Sequence, residues 1–195
     1  MTSKPQRLIV AISGASGAIY GIRLLEALRQ DKAIETHLIL TDAAKITIVQ
    51  ETDWKISDVE ALAGVVHKAN NIGASIASGS FRALGMAVVP CSIKSLSNIA
   101  HSNAGDLLAR AADVQLKEGR PLVLAVRETP LHLGHLRLMI QAAEIGAVLV
   151  PPMPAFYSRP QTVDDIINGT VGRLLLRLGI DNDLYFEWLG LKGKL

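Results

Sequence analysis

Short aliphatic runs that alternate with longer stretches of helical periodicity constrain the fold of this chain more than any other feature. Each run is too short for a helix and is bounded by turn residues, so the runs predict buried strands at 8–12, 36–40, 86–90, 122–126 and 147–150. Apolar residues recur at helical spacing between them and predict helices at 20–30, 42–51, within 93–119, at 135–144 and at 163–178. Strands that alternate with helices pair in parallel through right-handed crossovers. The expected fold class is α/β, with a doubly wound, mainly parallel sheet and helices on both faces.

The pattern is regular everywhere except in one segment. The stretch 93–119 divides into two helices near 103–105, and Asp42 is the predicted cap of the helix that follows the second strand. The segment 58–80 shows some helical periodicity and then a Ser-Gly-Ser loop. The sequence contains neither a repeat nor a low-complexity linker, and it predicts one domain over 1–195.

Composition and charge exclude several classes of function. The net charge of +2, with no run of basic residues, argues against a nucleic-acid surface. The single cysteine, Cys91, excludes an internal disulfide framework, and His132 and His135 lack an evident third ligand, so no metal site is expected. No apolar run approaches the ~20 residues that a membrane helix needs, and the polar segment 1–5 does not resemble a signal peptide. The expected location is therefore the cytoplasm, without membrane insertion.

The first predicted strand ends in a run of small residues, Ser-Gly-Ala-Ser-Gly-Ala at 13–18, that leads directly into a helix. Glycines let the backbone approach a phosphate closely, and a helix N-terminus presents free amide groups. The run matches neither the dinucleotide pattern G-x-G-x-x-G nor a P-loop, since no Gly-Lys-Ser follows. It indicates either a phosphate-binding turn of another kind or a tight turn that binds nothing.

Polar residues also follow two later strands. Ser92 and Ser95 stand at a helix start after the strand at 86–90, where they serve either a ligand or a simple N-cap. Arg127 and Glu128 follow the strand at 122–126, where the alternative is a surface ion pair. Ligands of doubly wound sheets bind beyond the carboxyl ends of the strands, so these residues belong to the predicted site.

Three further residues are candidates whose structural alternatives stay open. Prolines in the segment 151–154 stiffen the chain before Tyr157, which fits either a fixed ligand contact or a packed tyrosine. Arg173 lies on an apolar helix, where its stem could simply cover apolar surface. Lys117 falls at a helix end that is solvated in the simplest interpretation.

Together these segments resemble the UbiX-type flavin prenyltransferases over nearly the whole chain. The motifs that carry the resemblance occur in order at 13–21, 51–52, 78–80, 90–96, 110–114, 116–118, 121–124, 127–130 and 154–157. A single glycine-rich turn is weak support for a family, whereas this many ordered motifs are strong support.

The resemblance implies a Rossmann-like (flavodoxin-like) fold and a homododecamer with sites at subunit contacts. It implies transfer of a dimethylallyl group from dimethylallyl phosphate to N5 and C6 of reduced FMN, without a metal. FMN is then a bound substrate, and the product, prenylated FMN, serves a UbiD-type decarboxylase, including the one in ubiquinone biosynthesis.

The same resemblance assigns roles to individual residues. The flavin is expected to lie against Gly14, Ala15, Ser16, Thr41, Ser92, Ile93, Lys94, Ser95 and Arg127. The prenyl phosphate is expected to be held by Lys117, Arg127, Tyr157 and Arg173, with Glu128 beside it. Ser16 and Glu51 are expected to handle protons around flavin N5, and Trp188 to help close the site.

The chain departs from the family pattern at two positions, and two other functions stay open. Thr41 stands where the family pattern has serine, which keeps the hydroxyl, and Ile72 lies where some relatives carry tryptophan. An FMN-dependent cysteine decarboxylase of related fold would carry a Pro-x-Met-Asn turn, whereas 90–93 reads Pro-Cys-Ser-Ile. A flavin-binding electron carrier would need no second phosphate site, which the extra basic residues disfavour.

Overall fold

The architecture is a parallel sheet covered by helices on both faces. The computed structural model describes residues 5–190, and residues 1–4 and 191–195 of the predicted domain lie outside that range. Within the described residues the strands are β1 (Gln6–Ile12), β2 (Ile34–Leu40), β3 (Val65–Lys68), β4 (Gly85–Cys91), β5 (Leu122–Val126) and β6 (Val148–Leu149). The helices there are α1 (Ala18–Arg29), α2 (Asp42–Glu51), α3 (Ile56–Glu60), α4 (Ile93–Ala100), α5 (Leu107–Lys117), α6 (Leu133–Glu144) and α7 (Val163–Arg177).

The strand order confirms the predicted doubly wound α/β fold. Across residues 5–190 the sheet runs β3-β2-β1-β4-β5-β6, and every neighbouring pair is parallel. This is the Rossmann order, and without the short edge strand β3 it is the flavodoxin order. The order reverses between β1 and β4, so the crevice outside their carboxyl ends is the expected ligand position.

Alternate residues of the strands enter two separate cores. Leu8, Val10 and Ile12 of β1 pack in the core that α1 and α7 cover, whereas Ile9 and Ala11 pack in the core of α4 and α5. Successive side chains of a strand point to opposite faces, so a strand that is apolar throughout must be covered on both sides. This explains why the predicted strands read as continuous aliphatic runs.

Several details differ from the sequence prediction: α1 begins at Ala18 rather than at 20, β2 begins at Ile34 rather than at 36, and β6 is limited to Val148–Leu149. The segment 58–80 contains β3, which pairs with β2, in addition to the short helix α3 and a 3₁₀ turn at Ser75–Ala77. Asp42 is not the cap of α2, because the hydroxyl of Thr41 accepts the hydrogen bond from the Ala44 amide, 3.1 Å away. Helix α6 begins at Leu133 rather than at 135, and His132 caps it. In the span 5–190 we find no helix with the length and apolar character needed to cross a bilayer.

Candidate functional site

A buried serine joins the ends of β1 and β4 where the strand order reverses. Ser13 is 1% exposed; its hydroxyl donates to the carbonyl oxygen of Pro90 and accepts from the amide of Ser92, each at 2.8 Å. The backbone amide of Ser13 also donates to the Pro90 carbonyl oxygen at 3.2 Å. The two predicted ligand-binding turns are therefore fixed to each other by the strand ends themselves.

Helices α1, α2 and α4 begin where these strands end, and each presents its N-terminus there. The hydroxyls of Thr41 and Ser92 cap α2 and α4. Gly17, which caps α1, has a φ of +97° that favours glycine, and its amide donates to the Glu51 carboxylate at 2.8 Å. Glu51 is therefore adjacent to half-buried Ser16, and its negative charge faces the positive end of the α1 dipole.

The turns enclose a cleft whose donors suit a ligand with a phosphate group. The cleft has a volume of about 420 Å³, and its lining includes the predicted flavin contacts Gly14, Thr41, Ser92, Lys94 and Ser95 together with the acidic residues Asp42 and Asp106. A Cβ atom at position 14 would collide with the Cβ of Ala43, so the close approach of these two turns requires glycine. Backbone amides at helix starts, hydroxyls and one ammonium group are the donors that an anionic nucleotide needs. The residues present therefore fit FMN.

The other predicted flavin contacts lie around the same turns. Ala15 is buried, and its backbone amide donates to the Ser13 carbonyl oxygen at 2.9 Å. Ile93 is the first residue of α4 and packs against the core that α4 and α5 cover. The Arg127 amide donates to the Cys91 carbonyl at 3.1 Å, which holds this exposed arginine beside the second turn. Glu128 follows it, and its carboxylate accepts from the Thr129 amide at 2.9 Å.

Cys91 lies at this edge without taking part in its chemistry. The side chain is fully buried, and burial raises the pKa of the thiol to about 12. A neutral, inaccessible thiol is a poor nucleophile, so Cys91 serves here as a small packing residue.

Tyr157, Arg173 and Trp188 meet around a second cavity. This cavity of about 240 Å³ lies between Val150, at the end of β6, and helix α7, and Tyr157 and Arg173 both line it. The Trp188 ring packs edge-on against the Tyr157 ring, with centroids 5.6 Å apart. The structure thus brings a phenol and a guanidinium together under the C-terminal segment, as the resemblance implies.

Tyr185 also lines this cavity and was not among the residues predicted from the sequence. The hydroxyl of Tyr185 lies 2.8 Å from the hydroxyl of Tyr157, and the Arg173 guanidinium lies 5.2 Å from the centroid of the Tyr185 ring. The hydrogen bond with Tyr185 raises the pKa of Tyr157, and burial adds to this effect, whereas the charge of Arg173 opposes it. Next to the cavity, the side-chain amide of Asn182 donates to the carbonyl oxygens of Gly172 and Ile180 and so holds the segment that carries Tyr185 against α7. The one available signal was the aromatic cluster Tyr-Phe-Glu-Trp at 185–188 in a chain that is only 4% aromatic.

Lys117 lies near the amino ends of the strands, whereas Arg127 lies at their carboxyl ends. It ends α5, before β5, and its ammonium group is 2.6 Å from the Glu118 carboxylate beside the loop at Gly79. Arg127 follows the carboxyl end of β5, a strand that spans about 16 Å at ~3.3 Å per residue. One chain therefore does not bring Lys117 to the other predicted phosphate ligands.

Among residues 5–190, no group of three or more His, Cys, Asp or Glu side chains is arranged to hold a metal ion. The candidate site is made of hydroxyls, backbone amides, cationic side chains and carboxylates.

Known proteins share both the sequence and the fold of this chain. The sequence model of the flavoprotein family matches residues 1–173. The flavin prenyltransferase UbiX of Escherichia coli is 63% identical over 187 residues, which cover 95% of this chain and 99% of the relative.

Two solved structures superpose closely. The crystal structure of AnUbiX in complex with FMN and dimethylallyl pyrophosphate gives a TM-score of 0.94 at 46% identity and covers 97% of this chain and 100% of its own. The dodecameric FMN-dependent UbiX-like decarboxylase from Escherichia coli gives a TM-score of 0.92 at 48% identity, with 95% and 100% coverage.

Proposed function

Because this chain belongs to the UbiX family of flavin prenyltransferases, we propose that it transfers a dimethylallyl group from dimethylallyl phosphate to N5 and C6 of reduced FMN. The observation that carries the proposal is a pair of prepared sites at the carboxyl edge of one sheet. One is the cleft of helix N-termini around Gly14 and Ser92, and the other is the cavity that Tyr157 and Arg173 line. An electron carrier would need only the first.

FMN is a substrate that the chain holds through the first cleft. Amides and hydroxyls of the turns at Gly14–Ser16 and Ser92–Ser95 bind it, together with Thr41, Lys94 and Arg127. The bond of Ser13 to both strand ends keeps the turns in register before the ligand arrives. When bound, reduced FMN supplies the nucleophilic ring positions.

The cationic residues act on the departing phosphate. Breaking an allylic carbon–oxygen bond leaves negative charge on phosphate, which guanidinium, ammonium and phenol donors stabilise if they are placed in advance. Arg127, Tyr157 and Arg173 have this role, with Glu128 beside Arg127. Trp188, whose ring packs against that of Tyr157, is assigned the role of helping to close the site.

Ser16 and Glu51 handle protons at the flavin ring. Glu51 is supported for this role by its position, since its carboxylate accepts from Gly17, the residue after Ser16. A positioned acid or base of this kind accelerates a reaction by typically ~10²–10⁴-fold.

Lys117 completes the donor site from a neighbouring subunit of a homododecamer. Lys117 precedes the amino end of β5 and Arg127 follows its carboxyl end, so the two side chains meet only between two copies. Exposed apolar residues on α6 support close packing of copies, since Leu133, Leu136 and Ile140 are 59%, 43% and 57% exposed along one helix face.

The proposed destination of the product rests on the family resemblance. Prenylated FMN is a modified cofactor, and we place its use in a UbiD-type decarboxylase, including that of ubiquinone biosynthesis, with the synthesis itself in the cytoplasm.

The decisive experiment incubates the protein anaerobically with reduced FMN and dimethylallyl phosphate, and then measures the mass of the flavin. We expect one added isoprene unit, whereas an unchanged flavin mass contradicts the proposal. Decarboxylation is the second candidate, because a structure at 48% identity is that of a UbiX-like decarboxylase. Release of CO₂ from an aromatic acid by the purified protein alone favours that candidate, and an FMN-dependent cysteine decarboxylase is tested in the same way with a C-terminal cysteine peptide.

A further inference from the structure

The second cavity, which Tyr157 and Arg173 line, is called the donor cavity below. In it the Tyr185 hydroxyl is the nearest polar neighbour that the structure gives to Tyr157. The two phenolic oxygens are 2.8 Å apart, and the Tyr157 hydroxyl also lies 3.5 Å from the carbonyl oxygen of Phe186. A phenol both donates and accepts, so either oxygen of the pair can be the donor. The direction of this bond decides whether the proton of Tyr157 points toward Tyr185 or into the cavity.

The ring of Tyr185 is also the aromatic partner of Arg173. The guanidinium carbon is 5.2 Å from the ring centroid, within the ~6 Å range of a cation–π interaction. Arg173 is an exposed, rotamer-rich side chain, and a flat aromatic surface beside it restricts the planes that its guanidinium can adopt. One residue thus contacts both a phenol and a cation of the proposed phosphate site.

Tyr185 is held in place independently of these contacts. The Asn182 amide donates to the carbonyl oxygens of Gly172 and Ile180 at 3.1 and 3.3 Å, and the Leu184 amide donates to the Asn182 side chain at 3.0 Å. A Cβ at position 172 would lie 2.6 Å from the Tyr185 amide nitrogen, so the segment packs directly on the backbone of α7. Tyr185 is therefore placed by the same helix that carries Arg173.

We propose that Tyr185 is a positioning residue of the donor-phosphate site, acting through both Tyr157 and Arg173. When dimethylallyl phosphate is bound, the Tyr185 hydroxyl donates its hydrogen bond to the Tyr157 oxygen. The proton of Tyr157 then turns toward a phosphate oxygen without any movement of heavy atoms. The Tyr185 ring holds the guanidinium of Arg173 in one plane, ready for bidentate contact with the phosphate. This inference rests on the proposed function and names a residue that the function does not require by itself.

A double-mutant cycle tests the hydroxyl. The affinity for dimethylallyl phosphate is measured by calorimetry on the assembled protein loaded with oxidised FMN, so that the donor binds without reacting. A neutral hydrogen bond sets the scale, and we expect Tyr185→Phe to weaken binding by roughly twofold to tenfold. In a Tyr157→Phe background the same change should have almost no effect, because the hydroxyl then has no partner to orient.

Further variants test the ring of Tyr185 through binding, and turnover kinetics test its effect on the reaction. Tyr185→Leu should weaken binding by about a further twofold to fivefold relative to Tyr185→Phe, since the cation–π contact is lost. This extra loss should vanish in an Arg173→Ala background. In turnover, Tyr185→Phe should raise KM for the donor more than it lowers kcat, with KM for reduced FMN unchanged. Leu189→Ala, an exposed change in the same segment, is the control and should match wild type.

The outcomes separate this inference from the proposed function. Wild-type protein that binds the donor but never prenylates FMN contradicts the function, while the binding cycle still decides the role of Tyr185. Losses from Tyr157→Phe and Tyr185→Phe that simply multiply in the double variant overturn the inference, as does a Tyr185→Phe variant that binds like wild type. Wild-type protein that binds no dimethylallyl phosphate overturns both.

Discussion

The Nδ1 atom of His37 lies 2.9 Å from the Nε2 atom of His67, across the junction of β2 and β3. The other ring nitrogen of His37 lies 2.8 Å from the Glu35 carboxylate, so it carries a proton. The pair keeps its mutual hydrogen bond when both rings are neutral or when one is protonated. Two protonated rings would present N–H to N–H, and the bond would be lost.

The first prediction concerns pH and the free energy of unfolding. Burial, and then the charge of His37, lower the pKa of His67 below its unfolded value of about 6.5. The unfolded chain therefore binds this proton more readily, so the stabilisation is present above about pH 6.5 and is lost as the pH falls through the folded pKa. Urea unfolding between about pH 8 and pH 5 measures the loss. His67→Gln should reduce the dependence of the free energy of unfolding on pH. The control His101→Gln, at the exposed end of α4, should leave that dependence unchanged. Equal slopes for wild type and His67→Gln would contradict the assignment.

The second prediction concerns Ser13. Ser13→Ala leaves the Ser92 amide without its partner and removes one donor to the Pro90 carbonyl, and an unsatisfied buried polar group costs about 1–3 kcal/mol. We expect the free energy of unfolding to drop by this amount. FMN affinity should drop as well, because the two ligand-binding turns are no longer held in a fixed relative position. Denaturant unfolding and FMN fluorescence titration provide the two readouts. Ser97→Ala on α4 is the matched control. A Ser13→Ala variant with wild-type stability would show that the link between the strands is dispensable.

The third prediction concerns Glu51. Glu51→Gln keeps an oxygen for the Gly17 amide but removes the base, so FMN binding should stay close to wild type while prenyl transfer slows by about 10²–10⁴-fold. Anaerobic absorption spectra recorded during turnover measure the rate, because they distinguish the singly bonded N5 adduct from the ring-closed product, which has the same mass. Asp53→Asn removes a nearby exposed carboxylate and should leave the rate unchanged. Normal transfer by Glu51→Gln would remove Glu51 from the proton chemistry.

The fourth prediction concerns the division of the donor site between subunits. Lys117→Ala and Arg173→Ala should each slow transfer by about tenfold or more, since charge-assisted hydrogen bonds contribute roughly 1.5–3 kcal/mol. Co-expressed subunits of the two variants should regain part of the wild-type rate, because some sites then combine an intact Lys117 from one copy with an intact Arg173 from another. Mixed oligomers no faster than either variant alone would argue that both residues serve the same chain's site.

The fifth prediction concerns assembly. Ile140→Glu places a charge on the exposed apolar face of α6 and should reduce the mass of the particle measured by light scattering. Gln141→Glu adds the same charge one position along the helix and should leave the assembly intact. An Ile140→Glu variant that still forms the full oligomer would show that α6 faces solvent.

The parts of the molecule that sequence predicted best are those where one physical rule dominates. Strand β5 begins and ends as predicted because both of its faces are buried and its run of Leu and Val has no polar interruption. Strand β3 was missed because it has four residues, lies at the sheet edge and alternates partly buried with exposed positions. Thr41 rather than Asp42 caps α2 because the backbone leaves the extended conformation one residue earlier than the acidic residue suggested.

The candidate site was predictable where residues adjoin strand ends, as for Gly14, Ser92 and Arg127. Pairings that arise only in three dimensions were not: Glu51 reaches Gly17 across 34 positions, and Tyr185 reaches Tyr157 across 28. The separation of Lys117 from Arg127, in contrast, could be read from the predicted elements, since Lys117 ends the helix before β5 and Arg127 follows that strand.

The packing of the C-terminal segment has a practical consequence for handling the protein. A C-terminal affinity tag lies beyond Gly190, the last described residue, which comes two positions after Trp188 of the aromatic cluster that covers Arg173 and Tyr157. A tag on the other terminus precedes Gln6, the first residue of β1, which lies at the amino end of the strands and away from both clefts. Purification through an N-terminal tag therefore leaves the donor cavity accessible, and preparations that differ only in tag position should differ in donor affinity but not in flavin affinity.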